Sequence, residues 1–193
     1  MNRQDFILKL KEYKVYNLQE LIDKVRIINF LKENDNAYLR DNEKMHMTAS
    51  SWIINKDKTK VLMIYHNIYD SWAWTGGHAD GDEDLAYVAV KEAKEETNNK
   101  NIELVNNNIF SIEILKVKEH IKNGKIVKEH LHANVTYLLK ANEFDKISAK
   151  IDEAKDTKWI KIEDIKSEIK EKWMYKHIYK KLIKKLKRIK NDI

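Results

Sequence analysis

The chain contains no cysteine and no proline, and only four glycines in 193 residues. Without cysteine there can be no disulfide, thiolate nucleophile or thiolate metal ligand, which points to a reducing compartment. Without proline, the turns have to be built from glycine, asparagine and aspartate. No apolar run approaches the roughly 18 residues of a membrane-spanning helix. The opening Met1-Asn2-Arg3-Gln4-Asp5-Phe6 lacks the apolar stretch of a signal peptide. A cytoplasmic protein with no membrane partner is expected. The length suits one domain, or one domain with an extension, and is enough for a layered core.

Charge of neither sign is scarce: 37 basic and 31 acidic residues leave a formal net charge of +6. The basic excess is concentrated in residues 172–190, whereas residues 80–96 are acidic. A basic balance can mark a nucleic-acid or anion partner. Here the tail alone accounts for it, and nucleic acid is not expected as a partner.

Three of the four glycines, Gly76, Gly77 and Gly81, stand together just before an acidic segment. Asp84 suits a helix N-cap and Asn98 or Asn99 a left-handed C-cap, so a helix is expected between them. On that helix Glu92 and Glu96 continue the apolar stripe of Leu85 and Ala89, and Glu95 lies beside them. Carboxylates that share a face repel, and partial burial raises the cost unless something neutralises them. A hard divalent cation would do so, since carboxylate oxygens are the donors that Mg²⁺ prefers.

Hydrophobic periodicity supplies the surrounding elements. Residues 3–13 and 18–34 read as helices, the second with Asn17 as N-cap and an apolar stripe of Leu18, Leu21, Ile22, Val25, Ile28 and Leu31. Residues 34–42 read as a polar linker. Strands are expected over 46–55 and 60–66, joined by a turn at Asn55-Lys56-Asp57-Lys58-Thr59, and over 109–118, 126–140 and 158–162. Asn123-Gly124 is a hairpin-turn signal. A polar helical turn follows at 163–165. Residues 171–190 read as one amphipathic helix, with Trp173, Ile178, Leu182, Ile183, Leu186 and Ile189 on one side and lysines on the other. This order predicts an α/β protein with a mixed sheet and helices on its faces. Residues 1–44 form a helical N-terminal extension that buttresses the rest or offers a homodimer surface, and residues 45–193 form the main domain.

The loop and acidic helix resemble the Nudix box: Gly, five residues, Glu, seven residues, Arg-Glu, an apolar residue, one residue, Glu-Glu, one residue, Gly, then an apolar residue. Gly77, Glu83, Glu92, Glu95 and Glu96 stand at the required spacing, over about an eighth of the chain. Upstream, Trp72-Ala73-Trp74-Thr75-Gly76-Gly77 is similar to the family's aromatic approach, with Thr75 in place of proline. Three positions depart from the pattern. Lys91 replaces the arginine, keeping the charge but losing the rigid fork. Asn98 replaces the glycine, and the polar Asn99 takes the final apolar position, which suggests early fraying.

The resemblance implies a Nudix-type α/β/α sandwich and Mg²⁺- or Mn²⁺-dependent hydrolysis of a diphosphate linkage in a nucleotide-type small molecule. It implies Glu92, Glu95 and Glu96 as metal-binding carboxylates, with the Gly76 carbonyl a further donor and one glutamate free to orient water. Glu95, Glu96 and a later acidic residue become the catalytic candidates. Glu153 is preferred for the last role, with Asp152, Asp156 and Glu129 as rivals. Gly77, Glu83 and Lys91 are expected to be structural. Trp72 and Trp74 are candidates to stack on a base, and His78 to contact substrate. His130 and His132 share a strand face, but no third ligand of suitable spacing is visible, so they read as polar strand residues lining a cleft or hydrogen-bonded beneath a helix. Two other functions stay open: a catalytically weak nucleotide sensor of the ADP-ribose type, and an RNA-associated, decapping-like hydrolase using the basic tail.

Overall fold

The computed structural model describes residues 1–122, 125–150 and 154–189. The expected Asn123-Gly124 turn, the candidates Asp152 and Glu153, and the end of the C-terminal helix at Lys190 lie outside the described residues. Two helices come first, α1 (Arg3–Glu12) and α2 (Leu18–Glu33). The Asn2 and Asn17 side chains cap them by accepting from Asp5 N–H and Glu20 N–H. Strands β1 (Met45–Ile54), β2 (Lys60–His66), β3 (Ser71–Ala73) and β4 (Thr75–His78) lead to α3 (Leu85–Thr97). Then come β5 (Glu103–Val117), β6 (His120–Lys122), β7 (Lys125–Val127), β8 (His130–Lys140) and β9 (Ala154–Lys161). The expected strand over 126–140 is therefore broken at residues 128–129, with β6 and β7 forming a separate small ribbon. A short α4 (Ile165–Glu168) precedes the C-terminal helical segment, α5 (Lys172–Met174), a π-helical turn (Tyr175–Tyr179) and α6 (Lys180–Arg188).

The main sheet runs β3-β2-β1-β8-β5, with β4 also paired to β1 and β9 to β2. It is mixed: β1 and β8 are parallel, while β5 is antiparallel to β8 and β2 to β1. Alternation along each strand gives the sheet two faces. Met47, Ala49 and Ile53 join Ala133, Val135, Tyr137 and Leu139 in one core, closed by Phe6, Leu10, Ile27, Phe30, Leu85, Ala89 and Ala93 from α1, α2 and α3. Trp52, Met63, Trp72, Trp74 and Leu138 form a second core with Ile178, Tyr179, Leu182 and Leu186 on the other face. This is the α/β/α sandwich expected.

One helix buries a face that its apolar periodicity does not indicate, and the C-terminal segment buries a lysine beside the apolar face expected of it. On α2, Leu18, Leu21, Ile22 and Val25 are exposed, whereas Glu20 and Asp23 are buried with Ile27, Phe30 and Leu31. On the C-terminal segment Trp173 is exposed, and Lys181, expected among solvated lysines, is buried. The inward charges of the two elements have one cause. Glu20 receives Lys185 at 2.8 Å and Lys181 at 3.3 Å, and Lys181 also meets Glu113 of β5 at 2.8 Å. Tyr13 OH, Tyr16 N–H and Ser111 Oγ donate to the Glu20 carboxylate, and Ile114 N–H donates to Asp23. The charges thus join α2, β5 and α6 under cover, each desolvated group meeting an opposite charge and further donors.

Breaking one partner of such a group leaves an unpaired buried charge. Lys181→Met is expected to destabilise the fold by about 3–5 kcal/mol in urea denaturation. Burial raises the Glu20 pKa, but Lys185 and Lys181 outweigh it and hold the carboxyl below its ordinary 4.5. A depressed carboxyl stabilises above its unfolded pKa and loses that contribution as pH falls through the folded value. Melting temperature is therefore expected to fall on acidification below about pH 4.5, and less steeply in Glu20→Gln than in the wild type.

Candidate active site

The double glycine sits where β4 runs antiparallel to β1, with Gly76 opposite Ser50 and Gly77 opposite Ala49. Both positions are too close to neighbours for a side chain. A Cβ on Gly77 would lie 2.5 Å from the Glu92 carboxyl carbon, and one on Gly76 would lie 2.5 Å from the Ala49 carbonyl oxygen. The absence of side chains lets the carboxylates of α3 come down on the strand. Gly76 N–H donates to Glu96 Oε2 at 2.8 Å.

On α3, Asp84 caps the start by accepting from Tyr87 N–H, and Asn98 closes the end in the left-handed conformation at φ 51°. The asparagine standing for the signature glycine thus performs the cap. Asn99 is buried, and its side chain accepts from Asn101 N–H, so it closes the turn after the helix where fraying was expected.

The three glutamates differ in setting. Glu96 is buried and fixed by the Gly76 N–H. Glu92 lies against Gly77, with the half-exposed Lys91 ammonium 4.0 Å from its Oε1. Glu95 is more exposed, with Lys150 Nζ 4.0 Å from its Oε2. Lys91 therefore stands beside Glu92 at the outer limit of ion-pair contact. Glu83 accepts from Arg3 N–H at 2.7 Å and lies 3.6 Å from the Arg3 guanidinium. It has the structural part expected of it, tying the loop to α1. From the segment after α2, Arg40 forms a two-pronged pair with Asp80 of the same loop, at 2.6 Å on each prong, and holds that carboxyl below its ordinary range. The N-terminal segment thus positions the loop from outside.

Trp72 and Trp74 are not laid open for stacking. Both are buried in the second core. Trp74 meets Tyr179 edge-on, and its backbone N–H donates to the Tyr179 hydroxyl. Trp72 meets Tyr65 edge-on and carries Lys158 Nζ over its ring. Burying large aromatic area outweighs leaving it for a ligand. Of the rivals to Glu153, Glu129 pairs with Lys116 at 2.8 Å, and Asp156 accepts from the adjacent Thr157 N–H.

His78 sits on the other side of β4 from Gly77. His46 of β1 and His130 and His132 of β8 converge on it, their nitrogens all within 4.8 Å of one another. His46 pairs with His132 across the parallel strands, and Thr48 pairs with His78. Burial holds the His46 pKa below its ordinary value. Burial, then His78, His46 and His130, push His132 down to about 2. Among the described residues this is the group of donors that converges. The glutamates do not, because Glu96 turns to the strand and Glu95 outward. His46 has no spacing signal in the sequence; only the β1–β8 register brings it beside His132.

The NUDIX domain family model matches residues 44–183, beginning after α2 and ending within α6. No curated protein matches the chain in sequence. Among solved structures, a NUDIX-family hydrolase from Clostridium perfringens is similar at 24% identity and a TM-score of 0.51, covering 75% of this chain and 97% of its own. A C. elegans Ap4A hydrolase in a binary complex is similar at 20% identity and a TM-score of 0.50, covering 74% and 96%. An E. coli dihydroneopterin triphosphate pyrophosphohydrolase is similar at 16% identity and a TM-score of 0.52, covering 71% and 94%. With the family model spanning more than half of the chain, this protein belongs to the Nudix family and is a hydrolase of phosphorus-containing acid anhydrides.

Proposed function

We propose that the protein is a divalent-cation-dependent pyrophosphohydrolase that cleaves a diphosphate linkage in a small nucleoside diphosphate derivative with water as nucleophile. The observation that carries this reading is the approach of α3 to the double glycine: Glu96 held by Gly76 N–H, and Glu92 packed where a Gly77 side chain would be. The residues suit Mg²⁺ or Mn²⁺ by donor chemistry: three carboxylates neighbouring on one helix over the double glycine, which an ion would draw together. Glu92, Glu95 and Glu96, with the Gly76 carbonyl, would hold the ion. When bound, it supplies neutralisation of phosphate oxygens and a lowered pKa for water.

The chain's own groups then divide the work. Gly76 N–H fixes Glu96 and so sets where the phosphate chain can approach. Glu95, the most open of the three, is the proposed acceptor of a proton from water. Glu153 is a second proposed base. Lys91 and Lys150 flank the cluster and reduce repulsion between its carboxylates. His78, expected as a substrate contact, lies on the face of the sheet turned away from the glutamates, beside His46, His130 and His132.

The substrate class draws support from two structurally similar proteins, named for Ap4A and dihydroneopterin triphosphate. Both are small phosphoanhydrides. The RNA-associated alternative loses support because Lys181 and Lys185 of the basic tail are engaged internally with Glu20 and Glu113.

Hydrolysis is expected when dinucleoside polyphosphates, nucleotide sugars, ADP-ribose, NADH and (d)NTPs are incubated with Mg²⁺ or Mn²⁺ and released phosphate products are counted. Glu95→Gln and Glu96→Gln should each lower kcat by roughly 10²–10⁴-fold. A panel in which no compound turns over would remove this reading. Gly77→Ala should displace the Glu92 carboxyl, raising the metal concentration needed for half-maximal activity while the far-UV spectrum stays unchanged. Wild-type metal dependence in that variant would mean that the close approach of Glu92 is not part of the site.

A further inference from the structure

The strand face turned away from α3 carries a second group of donors. On β1, Ser51 Oγ donates to the Ala89 carbonyl of α3, so Met47, Ala49 and Ser51 point toward α3. His46, Thr48 and Ser50 alternate with them and point the other way. Cross-strand partners share a face, which places His132 beside His46 and His78 beside Thr48. His130, two residues before His132, completes the group on β8. The four imidazoles are therefore separated from the glutamates by the sheet itself.

Their nitrogens are oriented as ligands. His46 Nδ1 lies 3.1 Å from the Asn42 carbonyl oxygen, and His130 Nδ1 lies 2.8 Å from that of Lys128. A carbonyl only accepts, so both Nδ1 atoms carry the proton and both Nε2 atoms present a lone pair. Histidines that bind metals are oriented in this way, donating the other ring N–H to a carbonyl or carboxylate. His46 Nε2 is buried with no hydrogen-bond partner. His130 Nε2 and His132 Nε2 are 3.1 Å apart. Ligand atoms around a tetrahedral zinc ion, at about 2.0–2.1 Å from the metal, stand roughly 3.3–3.4 Å from one another. The observed separation is close to that edge, and the whole group lies within 4.8 Å.

We propose that His46, His78, His130 and His132 bind one transition-metal cation of the zinc class. Imidazole nitrogen suits zinc, cobalt, nickel and copper, whereas Mg²⁺ and Mn²⁺ prefer oxygen. The site is thus chemically distinct from the carboxylates on α3. Four imidazoles saturate a tetrahedral ion and leave no open position, which makes the site structural. It joins β1, β4 and β8 and anchors His78, the last residue of β4, at the entrance to the loop. The charged groups acting on His46 are Arg40 and Asp80, already paired with each other.

The test uses the full-length chain stripped with EDTA. Zn²⁺ uptake is measured after dialysis, and Co²⁺ is added as a spectroscopic probe. One Zn²⁺ per chain and an intense visible Co²⁺ absorption, the mark of a tetrahedral site, are expected. His130→Gln and His132→Gln should weaken Zn²⁺ binding by more than about 100-fold, since even an outer partner of a ligand is worth 10–100-fold. The Glu92→Gln/Glu95→Gln double variant should retain the cobalt band. Far-UV circular dichroism identifies any variant that fails to fold, and His78→Gln then replaces it. Absence of zinc from the wild type, undiminished binding in the histidine variants, or loss of the band in the glutamate variant would each overturn the proposal.

Discussion

The parallel pairing of β1 with β8 is the constraint on which the rest depends. It runs from Met45 opposite Leu131 to Ile54 opposite Lys140 without a break in register. Because side chains alternate, this single register sorts both strands at once. Toward α3 it assembles Met47, Ala49, Ile53, Ala133, Val135, Tyr137 and Leu139, a surface on which α3 can dock. Toward the other face it assembles the histidines, then Thr48, Ser50, Asn134 and Thr136, then Trp52 and Leu138. A slip of one residue would carry the histidines into the apolar core and expose the platform for α3. The position of the glutamates depends on this platform as much as on their own spacing.

Between the histidines and the second core lies a polar strip that needs its own account. Thr48 Oγ1 and Ser50 Oγ donate to the Asn134 side-chain oxygen, while Asn134 and Thr136 donate to Glu113. Glu113 in turn meets Lys181. Polar groups hidden from water are costly unless satisfied. Here the chain of donors and acceptors runs across the sheet and ends in the charges shared by α2, β5 and α6. The N-terminal helices are therefore joined to the Nudix domain by buried charge and by shared core, as well as by the Arg3–Glu83 contact at the loop.

What could be read from the sequence divides along the same line. Local signals were legible: Asn17 and Asp84 cap helices, Asn98 adopts the left-handed conformation, and the spacing from Gly77 to Glu96 places carboxylates on one side of a helix. Features made by distant residues were not. The apolar stripe of α2 pointed to the wrong face, because Glu20 is drawn inward by lysines more than 160 positions away. The same lysines were read as a solvated face. Trp72 and Trp74, candidates to stack on a base, lie in the core that the C-terminal segment covers. The histidine pair on β8 was visible in sequence, but its companions His46 and His78 come from strands that no local pattern aligns with it.

The two donor sets suit different cations. Carboxylates on a helix match hard ions that take oxygen, and neutral imidazoles on the opposite strand face match borderline ions that take nitrogen. Affinity alone would not achieve this, since zinc outcompetes magnesium at most sites with mixed donors. Separation by face gives each ion a set the other fills poorly. The double glycine makes the arrangement compact: Gly77 leaves room for Glu92 on one face, while one residue further along the same strand His78 turns to the other. Anchoring His78 from below therefore fixes the strand against which Glu92 and Glu96 are placed from above.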